Sequence, residues 1–213
     1  MLRDRWLFGR KTGVFTIQWH LTSECGLSCR HCYDRSSRDE LSLDQARRVL
    51  QDFGAFCARH RVRGQVCLSG GDPFLYAGLV PLYRAIEAAG YPVSILGNPV
   101  ARERLAEIVE IKKPRYFQVS LEGLPEVNDR IRGRGHFDSV VRFLGVLRDT
   151  GVPSCVMLTL HRGNIDQVVP LAHRLRGLAD RFTFSRLTQV GRGAALELPT
   201  RREYVDFLKR YIA

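Results

Sequence analysis

An α/β fold, a partial (β/α)6 barrel of parallel strands with outer helices, is what the sequence predicts, on three observations. Short β-rich runs alternate with longer helical patterns along the chain, the sequence form of repeated βα units and a parallel sheet. Every unusual polar cluster falls just after a β-rich run, where folds of this kind gather their active-site residues. The chain has 213 residues, and a complete eight-stranded barrel takes roughly 250. Six units therefore make an open barrel, TIM-like in construction.

The first strand spans residues 14–19, Val-Phe-Thr-Ile-Gln-Trp, and a cysteine-bearing loop follows it. Ser42 is the expected N-cap of a helix whose apolar positions Ala46, Val49, Leu50 and Phe53 recur at helical spacing. Strand two covers 65–68 and runs into Ser69-Gly70-Gly71-Asp72-Pro73. The helix near 79–89 closes at Gly90, a residue suited to helix C-termini. Strand three, 92–96, ends at Gly97-Asn98-Pro99, and a helix over 101–111 follows. Strand four, 116–121, precedes a long loop over 122–136, and the next helix, 137–150, stops at Gly151. Strand five is 154–160, and Asn164 is expected to cap a helix running through 178. Strand six covers 181–185, and Thr200-Arg-Arg-Glu203 opens a last helix as a capping box. No linker, repeat or low-complexity tract divides these units, so residues 1–213 read as one domain.

An apolar content of 45% suffices for one sizeable core. No apolar run reaches the roughly 20 residues that span a bilayer, and the chain opens on a polar, basic segment rather than a secretory leader. The expectation is a soluble, cytoplasmic protein. The net charge of +11 is almost all arginine, with Lys11, Lys112, Lys113 and Lys209 as the lysines. The arginines are scattered and no aromatic–basic motif accompanies them, so the charge is weak evidence for nucleic acid. An acidic peptide or a partner surface suits it better.

Cys25, Cys29 and Cys32 fall within eight residues, and thiols so close in sequence act as a set. Structural zinc prefers a closed site made from two separated ligand pairs. Here no second pair follows, and neither His20 nor His31 stands at a zinc-finger spacing. Disulfides belong to oxidising compartments, for which nothing argues. Closely spaced cysteines are the usual ligands of iron–sulfur clusters, and three of them leave one iron of a four-iron cluster open. A non-catalytic zinc or iron–sulfur module remains the alternative on these residues alone. Cys57, on a helix pattern, and Cys67 and Cys155, within strands, read as buried small hydrophobes.

The Cys-x3-Cys-x2-Cys spacing resembles the signature of the radical S-adenosylmethionine (radical SAM) enzymes, and the resemblance extends over nearly the whole chain. It is closest to the peptide-modifying, SPASM-type maturase branch. It implies that Cys25, Cys29 and Cys32 hold a [4Fe–4S] cluster whose open iron takes the amino and carboxylate groups of SAM. It sets His31 against adenine, where the family usually has an aromatic, with Tyr33 just after the third cysteine. Ser69-Gly70-Gly71-Asp72-Pro73 resembles the family's Gly-Gly-Glu-Pro motif, which grips the methionine amino group, with Asp72 for the commoner glutamate. Paired glycines permit close backbone approach, and carbonyls plus a carboxylate attract an ammonium group. The resemblance brings Asn98 near the ribose and Ser120 with Arg132 to the SAM carboxylate, which a guanidinium fork suits geometrically. Arg130 and Arg134 are the alternatives to Arg132. Glu122 is a second choice for ribose or substrate contact, and Gln189-Val-Gly-Arg-Gly193 looks like the family's adenine-side glycine segment.

The implied activity is reductive cleavage of SAM, the electron coming from a partner such as flavodoxin or ferredoxin. The resulting 5′-deoxyadenosyl radical would abstract hydrogen from a peptide or protein substrate. No residue stands out as a general acid or base, so none is assigned a catalytic role. No cysteine follows Cys155, so the auxiliary-cluster domain of that branch is expected to be absent or truncated. A glycyl-radical activating enzyme or a small-molecule cofactor maturase is the alternative enzyme class.

Overall fold

The computed structural model describes residues 13–34 and 40–212. The basic opening segment, on which the expectation of no secretory leader rests, lies outside the described residues. Six strands, β1 (Val14–His20), β2 (Arg63–Ser69), β3 (Val93–Leu96), β4 (Phe117–Ser120), β5 (Ser154–Leu160) and β6 (Arg181–Arg186), form one sheet in sequential order. Every neighbouring pair is parallel. The sheet is therefore the expected partial barrel, with β1 and β6 as its two edges. All strands point the same way, so every loop after a strand opens at one end.

Side chains alternate between the faces of each strand, and the alternation separates core from site. Val66, Leu68, Ile95, Phe117, Val119, Val156 and Leu158 are buried on the outer face. There they join one apolar core with Leu50 and Phe53 of α1 (Leu43–His60) and Leu82 and Ile86 of α2 (Leu79–Ala88). Leu105 and Ile108 of α3 (Arg102–Val109) and Phe143, Leu144 and Leu147 of α5 (His136–Thr150) complete that layer. Each such side chain contributes roughly 1.5–3 kcal/mol by leaving water. The opposite face carries Gln18, Ser69, Gln118, Ser120, Met157, Thr159 and Ser185, which line a cavity. Cys57, Cys67 and Cys155 are buried.

The expected cap at Ser42 is present, its hydroxyl accepting from Gln45 N while the Gln45 side chain accepts from Ser42 N. The box at Thr200 and Glu203 likewise opens α7 (Arg201–Ile212). Two expectations need correction. The stretch over 122–136 is no plain loop: it contains α4 (Pro125–Arg132), which starts with proline at its first turn. Its polar sequence hides the helix, since Asn128 and Ile131 are its buried residues. Asn164 does not cap a long helix either. His161 caps a 3-10 turn over Arg162–Gln167, and α6 (Val168–Arg174) follows it. Asn164 is fully buried, donating to the Glu122 and Thr159 carbonyls and accepting from His161 N. None of the described helices is long and apolar enough to cross a membrane.

Candidate active site

The cysteine loop leaves β1 and runs beside the loop after β2, joined to it by main-chain hydrogen bonds. Leu21 N donates to Ser69 O at 2.9 Å, Gly71 N to Thr22 O at 2.8 Å and Asp72 N to Glu24 O at 2.7 Å. This contact explains the paired glycines. A Cβ at Gly70, where φ is +140°, would lie 2.5 Å from the Thr22 carbonyl oxygen, and one at Gly71 would strike the Glu24 carbonyl more closely still. Only glycine lets the two loops meet at this distance.

The cysteine loop is held on its other side by the segment after β6. Arg192 N donates to Cys32 O at 2.9 Å, and the Arg192 guanidinium donates to Ser28 O at 2.8 Å. A Cβ on Gly191 would fall 2.7 Å from Cys32 O and 2.6 Å from Tyr33 O. The glycine segment 189–193 thus buttresses the cysteine loop. The loops from the two edge strands meet over the open end of the barrel.

Under them lies a cavity of about 850 Å³, lined by Cys25, Cys29 and Cys32 together with His31, Tyr33, Ser69, Gly70, Gly71, Asn98, Ser120 and Arg132. Asp72 is absent from that lining. Its buried carboxylate accepts from Phe74 N at 3.1 Å and from the Asn98 side-chain amide at 3.2 Å. Burial raises its pKa, and those two hydrogen bonds pull it back. Asp72 therefore reaches the cavity through Asn98, whose amide also lies 3.5 Å from Cys25 Sγ. Of the three candidate arginines, Arg132 lines the cavity, whereas Arg130 is turned to Glu126 O on the exposed face of α4.

Behind Cys29 and His31 sits Glu122, fully buried and off the lining. Its Oε1 accepts from Arg132 NH2 at 2.6 Å and Nε at 2.8 Å, and lies 2.7 Å from His31 Nε2. Its Oε2 accepts from Thr159 N at 2.8 Å. Burial works to raise its pKa, but Arg132 and His31 outweigh it and hold the carboxyl well below the usual range. Glu122 is thus a support for His31 and Arg132, a role that its place in a loop did not suggest. The only sequence signal was its position two residues after Ser120. Arg132 NH1 in turn lies 3.7 Å from Cys29 Sγ. Burial raises the Cys29 pKa, with Arg132 opposing and the other two thiols adding to the rise.

The six cysteines are free thiols. Among the described residues, no three His, Cys, Asp or Glu side chains converge closely enough to hold one metal ion. Cys25, Cys29 and Cys32 line one cavity without meeting at a point. Such a set is able to ligate a body larger than a single ion, and N–H donors face two of its sulfurs.

The chain matches the model of the radical SAM superfamily over residues 19–175. It is 27% identical over 205 residues to Fe-coproporphyrin III synthase of Methanosarcina barkeri, covering 90% of this chain and 50% of that protein. It is 30% identical over 185 residues to mycofactocin maturase MftC of Mycolicibacterium smegmatis, covering 84% of this chain and 46% of that one. The chain spans about half the length of the curated relatives it matches. Its fold is that of Streptococcus suis SuiB, solved bound to precursor peptide SuiA, with a TM-score of 0.71 and 19% identity over 94% of this chain and 46% of that one. With its parallel half-barrel and a model match from the end of β1 to the end of α6, the chain belongs to the radical SAM superfamily, enzymes whose cofactors are SAM and a [4Fe–4S] cluster.

Proposed function

We propose that this enzyme is a peptide maturase in which Cys25, Cys29 and Cys32 ligate the [4Fe–4S] cluster. The observation that carries the reading is that three free thiols share one cavity with the glycine loop, Ser120 and Arg132. A cluster presents its irons at separate corners, so spread thiols suit it, whereas a single zinc needs every ligand within about 2.3 Å. The same observation disfavours the structural-zinc alternative. When bound, cluster and SAM supply a 5′-deoxyadenosyl radical that abstracts hydrogen from the substrate. The chain's own residues bind and orient. Ser69, Gly70 and Gly71 offer main-chain carbonyls to the SAM amino group, with Asp72 supporting them through Asn98. Ser120 and Arg132 take the SAM carboxylate, and Glu122 fixes the guanidinium in position. His31 and Tyr33 lie along the adenine, and Asn98 near the ribose. Residues 1–213 form one radical SAM core domain, and a flavodoxin- or ferredoxin-type partner donates the electron.

Peptide as the substrate class is supported by the maturase among the relatives and by the SuiB complex on the same fold. A small-molecule cofactor maturase is the second reading, favoured by the match to Fe-coproporphyrin III synthase. Anaerobic reconstitution with iron and sulfide, then reduction with SAM, tests the core of the proposal. Four irons per chain and release of 5′-deoxyadenosine are expected. One equivalent of zinc with no iron after anaerobic purification would sink the assignment. Hydrogen transfer from deuterated peptide or tetrapyrrole substrates into 5′-deoxyadenosine separates the two readings.

A further inference from the structure

The three thiols of the cavity differ in the polar groups that face them. Cys32 Sγ lies 3.3 Å from Asp34 O, a group that only accepts. Cys29 is buried 3.7 Å from the Arg132 guanidinium, whose charge is already paired with Glu122 at 2.6 Å. Cys25 is exposed, and two neutral N–H donors face its sulfur, Leu27 N at 3.4 Å and Asn98 Nδ2 at 3.5 Å. The first comes from the cysteine loop itself. The second reaches across strand ends, since Asn98 follows β3 and Cys25 follows β1.

Asp72 decides which end of the Asn98 amide meets the sulfur. Its Oδ1 accepts from Phe74 N at 3.1 Å, at the start of the 3-10 turn Pro73–Leu75, and its Oδ2 accepts from Asn98 Nδ2 at 3.2 Å. A carboxylate oxygen accepts hydrogen bonds, so it holds the amide nitrogen on this side and not the amide oxygen. That nitrogen carries two hydrogens. One goes to Asp72 and the other is left for Cys25. Gly97 fixes the backbone just before it: Gly97 N donates to Gln118 O at 3.1 Å, and an added Cβ would stand 3.4 Å from the Pro73 ring. The amide oxygen takes part in neither contact, so it stays open to a ribose hydroxyl.

An N–H aimed at a ligating sulfur favours whichever state of the metal group carries more negative charge. Reduction of a cluster by one electron adds one such charge. We infer that Asn98, held by Asp72, raises the reduction potential of the cluster through its hydrogen bond to Cys25. The electron still comes from the flavodoxin- or ferredoxin-type partner, and no bond is made or broken in the step. Asn98 acts through Cys25, which makes it a positioning residue with Asp72 behind it. The inference rests on the reading of Cys25 as a cluster ligand.

The test uses the full chain, reconstituted anaerobically without SAM and poised at set potentials with dithionite and mediators. The electron paramagnetic resonance signal of the reduced cluster reports its midpoint potential. Asn98→Leu keeps the branching of the side chain and removes both N–H groups. Its midpoint should fall by about 30–60 mV, a roughly three- to tenfold shift of the equilibrium at about 59 mV per tenfold for one electron. Asn98→Asp, which turns an oxygen towards the sulfur, should fall at least as far. A proton coupling to the reduced cluster that exchanges in deuterium oxide should be lost in both variants, which a change of packing alone would not produce. An unchanged midpoint in Asn98→Leu with four irons per chain would overturn the inference and leave the cluster assignment standing. A weaker SAM affinity at an unchanged midpoint would do the same, and would give Asn98 to SAM alone. Loss of iron from both variants would make Asn98 a structural residue and overturn the tuning role. An unaltered chain that takes up no cluster would overturn the proposed function, and this inference with it.

Discussion

On the β1–β4 side of the cavity, much of the wall is main chain against main chain. Gly70 and Gly71 press on Thr22 and Glu24, Asn98 bridges Asp72 and Cys25, and Glu122 anchors His31 and Arg132 from behind. On the β5–β6 side the lining is made of side chains with little fixed engagement: Met157, Thr159, Ser185, Arg186 and Thr188. The first wall has few substitutions open to it, because backbone carbonyls fill the space that another side chain would need. The second can change its side chains without disturbing the loops that meet over the barrel. Under the proposed function, this contrast suits a cavity that holds a shared cofactor on one wall and a varying substrate on the other. Geometry that must recur is held by backbone, and chemistry that must differ is carried by side chains on a fixed strand end.

The comparison can be broken most decisively at the cysteines. Replacing Cys25, Cys29 and Cys32 together by alanine should leave a folded chain with no iron after reconstitution and no 5′-deoxyadenosine. Retained iron would move the cluster elsewhere. Next in size is Glu122→Gln, which leaves the buried Arg132 charge without its counter-ion. A loss of about 3 kcal/mol or more is expected, read as a shift of the urea unfolding midpoint. Gly71→Ala should cost about 1–3 kcal/mol by forcing the two loops apart, and iron content per chain should fall with it. Gly133→Ala, where an added Cβ meets nothing within 4 Å but φ is +114°, serves as the comparison for backbone strain alone.

A pH effect of similar size belongs to His136, which contacts Asn128 behind the first wall. Burial pushes its pKa down to about 4, Arg132 and His31 adding to the fall while Asp129 and Glu122 oppose it. An unfolded histidine titrates near 6.5, so between those values the unfolded chain binds more protons. The His136 contribution is then complete above about pH 6.5, is lost as pH falls towards 4, and changes no further below that. His161, lowered by burial as well, acts in the same direction. Unfolding free energies from urea titrations at pH 7 and pH 5 should differ by on the order of 2 kcal/mol, and His136→Gln should flatten the slope. The smallest effect falls on the second wall. Arg186→Gln should alter stability by less than about 0.5 kcal/mol, since no ion pair among the described residues holds that side chain, and a larger loss would mean that it is part of the fold.

Six strands were legible in the sequence because each shows a β-rich run ending in a turn cluster, and the strand over Ser154–Leu160 matches residue for residue. The cavity lining was legible where the pattern is local, as in the cysteine run and the paired glycines. It was not legible where a residue acts through a distant partner. Nothing near Glu122 in sequence announces Thr159 N, 37 positions away, as its hydrogen-bond donor. Paired glycines announce close backbone approach, but not that the cysteine loop, some 45 positions earlier in the chain, is one of the neighbours that needs it. Helix α4 was missed because a short helix that buries an asparagine and one isoleucine has almost no apolar stripe to detect.

The seam between the cysteine loop and the segment after β6 joins residues as far as 164 positions apart. A chain made from its N-terminus offers its cysteines long before Gly191–Gly193 exists to brace them. Closing so long a loop is slow and entropically costly, so the cysteine loop should be the last part of the barrel to acquire its shape. During synthesis the three thiols are then unbraced until the final strand has docked. If these thiols hold the proposed cluster, a slow step in iron uptake should track docking of the segment after β6 rather than the supply of iron.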